Sequence, residues 1–87
     1  MWCLIEYRAH KNNKFKGMVI IEAISYEDAI EKASKRVLNP GGKPLVSSLS
    51  NEVMFLIPMK MRDRILNSVE AQEIKDKLDN YFEQVYV

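Results

Sequence analysis

The sequence predicts one α+β domain over residues 1–87. It has an antiparallel-rich four-stranded sheet, the order β-β-α-β-β-α and a long C-terminal helical region. Three observations carry this. Gly17–Leu38 is an apolar strand running into a capped amphipathic helix. A polar, turn-rich stretch, His10-Lys11-Asn12-Asn13-Lys14, separates that strand from an earlier one. Met59–Val87 carries apolar residues at helical spacing.

Residues 1–8 read as the first strand, with Cys3, Ile5 and Tyr7 on one face and Trp2, Leu4, Glu6 and Arg8 on the other. Residues 17–24 form the second, and Lys16-Gly17 marks a bulge or the loop exit between them. Val19, Ile21 and Ala23 face one way; Met18, Ile20 and Glu22 face the other. Ser25 is placed to cap a helix, and Asp28, three residues on, approximates a capping box. Glu27 and Asp28 lie at the positive end of that helix, and Lys32, Lys35 and Arg36 at its negative end. Tyr26, Ala29, Ile30, Ala33 and Val37 form its apolar stripe. Asn39-Pro40-Gly41-Gly42 ends it.

Leu45–Leu49 and Val53–Ile57 read as two further strands. The second has no polar break, which places it centrally, buried on both faces; Pro58 ends it. In the C-terminal region Met61, Ile65, Leu66 and Val69 form one helical stripe. Ile74, Leu78, Tyr81, Phe82 and Val85 form another. Asn67 with Glu70 caps a new helix, so a break is expected near Asn67-Ser68. Residues 59–67 fit either helix or strand, and Val85-Tyr86-Val87 either helix or extended chain.

Eighty-seven residues, 47% of them hydrophobic and 29% charged, suit one small globular domain. The net charge of +1 hides an asymmetry: eleven Lys/Arg against seven Asp/Glu in residues 1–67, then two against five in residues 68–87. The basic part favours an anionic partner. Cys3 is the only cysteine, which fits a reducing cytoplasm and a thiol that packs as a small apolar residue. The apolar start, Met1–Ile5, is too short for a signal peptide's core, and no run approaches the roughly 18 apolar residues that span a bilayer. The expectation is a cytoplasmic protein that does not engage membranes.

Catalysis by a nucleophile needs a base in reach and a group to orient it. The single histidine, His10, lies in a Lys/Asn-rich loop and reads as solvated. One His and one Cys do not make a metal site, so neither cofactor nor metal is expected. Gly41-Gly42-Lys43 follows a helix and precedes a strand, the reverse of a phosphate loop. The protein is expected not to be an enzyme.

Two basic groups remain. Arg8, His10, Lys11, Lys14 and Lys16 gather at the hairpin tip, and Lys60, Arg62 and Arg64 follow the fourth strand. Solubilising charge accounts for both; the sharper reading is contact with a phosphate backbone or an acidic protein groove. Trp2, Leu4, Met18 and Ile20 lie on strand faces that the first helix does not cover, so either the C-terminal helix or a second copy must cover them. Trp2 and Leu4, with the aromatic end at Tyr81, Phe82 and Tyr86, are therefore the candidate interface, for core packing, a homodimer or another protein.

The run from Glu22 to Lys35 resembles the hairpin-to-helix segment of small phage-encoded proteins. In particular it is similar to one type I-F anti-CRISPR family, sharing Glu22, Ala23, Ser25, Ala29, Lys32, Ala33, Ser34 and Lys35. Members of that family are single small sheets with one helix, and they bind a CRISPR surveillance complex and obstruct target DNA. The long C-terminal helical region departs from that pattern. The resemblance implies a compact phage or mobile-element protein that acts by binding a host protein or nucleoprotein complex in the host cytoplasm. Two alternatives stand beside it: a nucleic-acid-binding accessory protein that uses the basic hairpin, and a sponge that sequesters a small nucleotide between protomers.

Overall fold

The computed structural model describes the backbone of residues 1–86 and the side chains of residues 1–81. Strands β1 (Trp2–Arg8) and β2 (Phe15–Glu22) form the expected hairpin, and helix α1 (Tyr26–Lys35) follows. Then come β3 (Lys43–Leu49), a one-turn helix α2 (Asn51–Met54), a 3₁₀ turn at Met59–Met61 and the long helix α3 (Ser68–Tyr86). The architecture is α+β, with one antiparallel sheet of three strands in the order β2-β1-β3.

The fourth strand expected at Val53–Ile57 is not formed. Ser50 Oγ accepts a hydrogen bond from Val53 N–H at 3.2 Å and starts α2 there instead. Val53, Met54 and Ile57 turn inward at helical spacing, while Phe55 and Leu56 are turned out to solvent. A five-residue apolar run fits a buried strand or a helical turn equally well, and the capping serine decides between them. The centre of the sheet is therefore β1, flanked on both sides.

Tertiary structure covers β1 and β2 on both faces. On one face Cys3, Ile5, Tyr7, Val19, Ile21 and Ala23 pack against Ala29 and Ala33 of α1. Two alanines let the helix approach the sheet closely. On the other face Leu4, Met18 and Ile20 pack against Val53, Met54, Ile57, Met61, Leu66, Ala71 and Ile74. The chain's own C-terminal half covers this face, so Leu4 is a core residue and not an interface residue. At about 25 cal/mol per Å² of apolar area, two-sided cover supplies the main stabilisation of so small a domain.

The caps were expected at the right residues. Ser25 Oγ accepts from Asp28 N–H at 3.0 Å, and the Asp28 carboxylate accepts from Ile24 N–H at 2.9 Å, one residue earlier than a standard box. Asn67 and Glu70 form the reciprocal pair, Glu70 N–H to Asn67 Oδ1 at 2.9 Å and Asn67 N–H to Glu70 Oε1 at 3.2 Å. Helix α1 stops short of its expected end. Leu38 N–H bonds to Ala33 O at 2.7 Å and Val37 N–H to Ser34 O at 3.2 Å, with Val37 at φ 58°. This is the Schellman arrangement with a valine in the left-handed position that glycine favours, so Val37 leaves the apolar stripe and lies exposed.

Residues 59–67 are neither one helix nor a strand of the sheet. After the 3₁₀ turn the chain runs along the outer edge of β2, where Leu66 N–H bonds to Met18 O at 2.7 Å, Met18 N–H to Leu66 O at 3.2 Å and Asp63 N–H to Ile20 O at 2.9 Å. Ile65 and Val69, expected in a buried stripe, are exposed. The later stripe holds at Ile74, Leu78 and Tyr81, which pack on the core. Its members Phe82 and Val85 lie outside the described side chains. The backbone at Val85 and Tyr86 is helical. Among the described residues, no helix is long and apolar enough to cross a membrane.

Candidate docking surface

The hairpin tip is held by its own backbone. Ala9 N–H donates to Lys14 O at 2.8 Å and Asn13 N–H to Ala9 O at 3.0 Å, with Asn13 in the left-handed conformation at φ 58°. Asn12 Oδ1 accepts from Lys14 N–H at 3.1 Å. The asparagines thus do the turning, which polar turn chemistry favours, and the lysines on either side of them, Lys11 and Lys14, are exposed. The register shifts between Tyr7 and Arg8, where Tyr7 faces Gly17 but Arg8 faces Phe15; Lys16 is the extra residue of the bulge. A side chain on Gly17 would meet Ile65 Cγ2 at 2.9 Å and Pro40 Cγ at 3.0 Å, so the bulge sits beside a position where a Cβ would force those side chains to shift.

Of the expected cations at this end, Arg8 is engaged. Its Nε donates to Glu6 Oε2 at 2.8 Å and its Nη1 to Asn13 O at 3.0 Å, and Lys75 Nζ meets Glu6 Oε1 at 2.6 Å. Burial raises the Glu6 pKa, but the bonds from Lys75 and Arg8 outweigh it and hold the carboxyl below its ordinary value. His10, Lys11, Lys14 and Lys16 are exposed and make no side-chain hydrogen bond or ion pair among the described residues. A cation that the sequence reading did not assign joins them. Lys43 opens β3 directly opposite Arg8. It is brought there by Gly41 and Gly42, both at positive φ; a Cβ on Gly42 would collide with the Arg8 carbonyl. Only the β1–β3 register, which a linear reading does not contain, reveals this neighbour.

The second basic group does not form a surface. Arg62 Nη2 donates to Met54 O at 2.9 Å and Ile57 O at 3.2 Å, and its guanidinium lies over Trp2. Arg64 donates from Nε to Lys60 O at 2.6 Å and from its terminal nitrogens to both carboxylate oxygens of Glu70. The Arg64 bond, then the Asn67 N–H, holds the Glu70 carboxyl low. Of the three, Lys60 alone presents its ammonium to solvent without a side-chain partner among the described residues. The two arginines are structural.

The interface residues are also drawn inward. Trp2 is partly buried against the core, and Tyr81 OH donates to Glu52 Oε2 at 2.7 Å. Phe82 and Tyr86 lie outside the described side chains. A groove of about 490 Å³ runs between the end of β3 and the middle of α3, lined in part by Ser47, Leu49, Val53, Leu78 and Tyr81. Cys3 is fully buried, and burial raises its thiol pKa, which leaves it unreactive. Among the described residues no three His, Cys, Asp or Glu side chains converge as a metal site would need.

Comparison with protein-family models, with curated proteins and with solved structures finds no match to this chain.

Proposed function

We propose that the protein is a non-enzymatic interaction protein of phage type that docks on a host defence complex through its basic end and obstructs it, as an anti-CRISPR protein does. The observation that carries this reading is the contrast among the cations. Arg8, Arg62 and Arg64 are engaged in bonds within the chain, while Lys11, Lys14, Lys16 and Lys43 stand exposed at one end with no side-chain partner among the described residues. Four ammonium groups held on a hairpin and its neighbouring strand complement an acidic protein face. Such complementarity raises association rate and specificity more than it adds bulk affinity. The resemblance of Glu22–Lys35 supplies the class of target.

The test is capture from a bacterial lysate that carries a CRISPR surveillance complex, with the wild-type protein and with Lys11, Lys14 and Lys16 all changed to Ala. A stable protein partner retained by the wild type and lost by the triple variant supports the reading. No stable partner, or equal capture by both, overturns it. Direct nucleic-acid binding through the same lysines is separated by salt. On duplex DNA, log affinity falls by about 0.9 per phosphate contact for each tenfold rise in salt, and binding persists without any host protein.

A further inference from the structure

The two outer edges of the sheet are treated differently. Backbone bonds from Asp63 and Leu66 close the β2 edge. The β3 edge has no backbone partner among the described residues. Which of its groups point outward follows from proline chemistry. Pro44 pairs with Tyr7 yet has no N–H to give, so that pair is of the non-hydrogen-bonded kind. Antiparallel pairs alternate, so Leu45 and Ser47 direct their N–H groups to β1, and Val46 and Ser48 direct theirs away from it. Neither Val46 N–H nor Ser48 N–H has another partner among the described residues.

We infer that this edge takes an extended acidic segment of the partner protein as a fourth strand. The inference rests on the docking function proposed above and names the partner's chemistry. The charge pattern selects the occupant. Lys43 stands at the start of the edge, beside the free lysines of the hairpin, and β3 itself contains no acidic residue. A second copy of β3 would bring Lys43 no carboxylate. A segment whose carboxylates fall at one end meets these ammonium groups while its backbone bonds to Val46 and Ser48. Its side chains on the α3 side cover Leu45, which is 50% exposed, and approach the groove beside Leu49 and Leu78. Main-chain bonds give such strand addition its affinity, and alternate side chains give it specificity.

The probe is a fluorescein-labelled seven-residue peptide alternating Val and Thr and ending in two Glu, read by anisotropy and by amide hydrogen exchange of the full chain. In the free protein Val46 and Ser48 exchange fast, and Leu45 and Ser47 are protected. Added peptide slows Val46 and Ser48 at least tenfold and leaves Met18 unchanged. Ser48→Pro, which removes an outward N–H, weakens binding at least tenfold, Ser48→Ala less than twofold, and Lys43→Glu at least threefold. Equal binding by a folded Ser48→Pro, protection confined to other residues, or equal binding of a peptide ending in two Lys overturns the inference. So does a doubled mass by light scattering that Ser48→Pro abolishes, since the occupant is then a second copy. The exchange measurement on the wild type needs no variant to fold. Loss of host capture in the lysine variant, with no peptide effect at Val46 and Ser48, refutes the strand and leaves the docking function standing.

Discussion

The guanidinium of Arg62 lies over the ring of Trp2, 5.0 Å from its centroid, and the same side chain ties down the carbonyls of Met54 and Ile57. One residue thus joins the start of β1 to the turn after α2. Replacing it by Ala removes two charge-assisted hydrogen bonds and a stack. The expected cost is about 2–4 kcal/mol. Arg62→Lys recovers only part, because an ammonium cannot stack flat and fork to two carbonyls. Chemical denaturation followed by Trp2 fluorescence measures both, and a cost below about 1 kcal/mol for Arg62→Ala contradicts this role.

Val37→Gly stabilises the protein. A left-handed conformation costs a residue with a Cβ about 1–2 kcal/mol, and Val37 is exposed, with little packing to lose. The extra freedom of glycine in the unfolded chain takes back about 0.5–1 kcal/mol. The expected net gain is up to about 1.5 kcal/mol, with a rise of roughly 4–8 °C in Tm per kcal/mol for a chain of this size. A lowered Tm contradicts the strain argument.

Tyr7 is fully buried, its pKa is raised by that burial, and its hydroxyl has no hydrogen-bond partner among the described residues. An unpaired buried hydroxyl carries a desolvation cost of about 1–3 kcal/mol. Tyr7→Phe is therefore expected to be neutral or stabilising, whereas Tyr7→Ala opens a cavity and costs about 3–5 kcal/mol. A destabilising Tyr7→Phe in thermal unfolding reveals a partner for the hydroxyl.

Acid weakens the fold through identifiable carboxylates. Glu6 is held low by Lys75 and Arg8 against its burial, Asp28 by the Ile24 N–H and then Lys32, and Glu70 by Arg64 and the Asn67 N–H. Each has a folded pKa below its ordinary value. Its stabilisation is complete above the usual carboxylate range, near pH 4, and is lost as pH falls through the folded values. Tm is expected to be level near neutrality and to drop below about pH 4. Glu6→Gln flattens that drop, with the neutral-pH Tm already lowered.

What was legible in the sequence is what local chemistry decides. The hairpin, the Ser25 cap and the Asn67–Glu70 box depend on residues within a few positions of one another, and Lys16-Gly17, read as a bulge or the loop exit, is the bulge. Val53–Ile57 was read as a strand because an unbroken apolar run satisfies two periods, and the Ser50 cap that selects the helical turn lies outside the run itself. The fates of the cations were half legible. Lys11 and Lys14 are confined to a turn and stay free wherever it goes. Arg62 and Arg64 look the same on paper, but folding brings carbonyls and Glu70 within their reach. Lys43 comes opposite Arg8 through strand pairing alone.

The short backbone ladder from Met18 and Ile20 to Asp63–Leu66 has one more effect. A protein with sticky flanks on both sides of its β-layer stacks indefinitely, each molecule templating the next. Here one flank is plugged by the same chain, so a guest on the remaining flank ends the series. The geometry favours a capped complex of fixed stoichiometry over a growing filament.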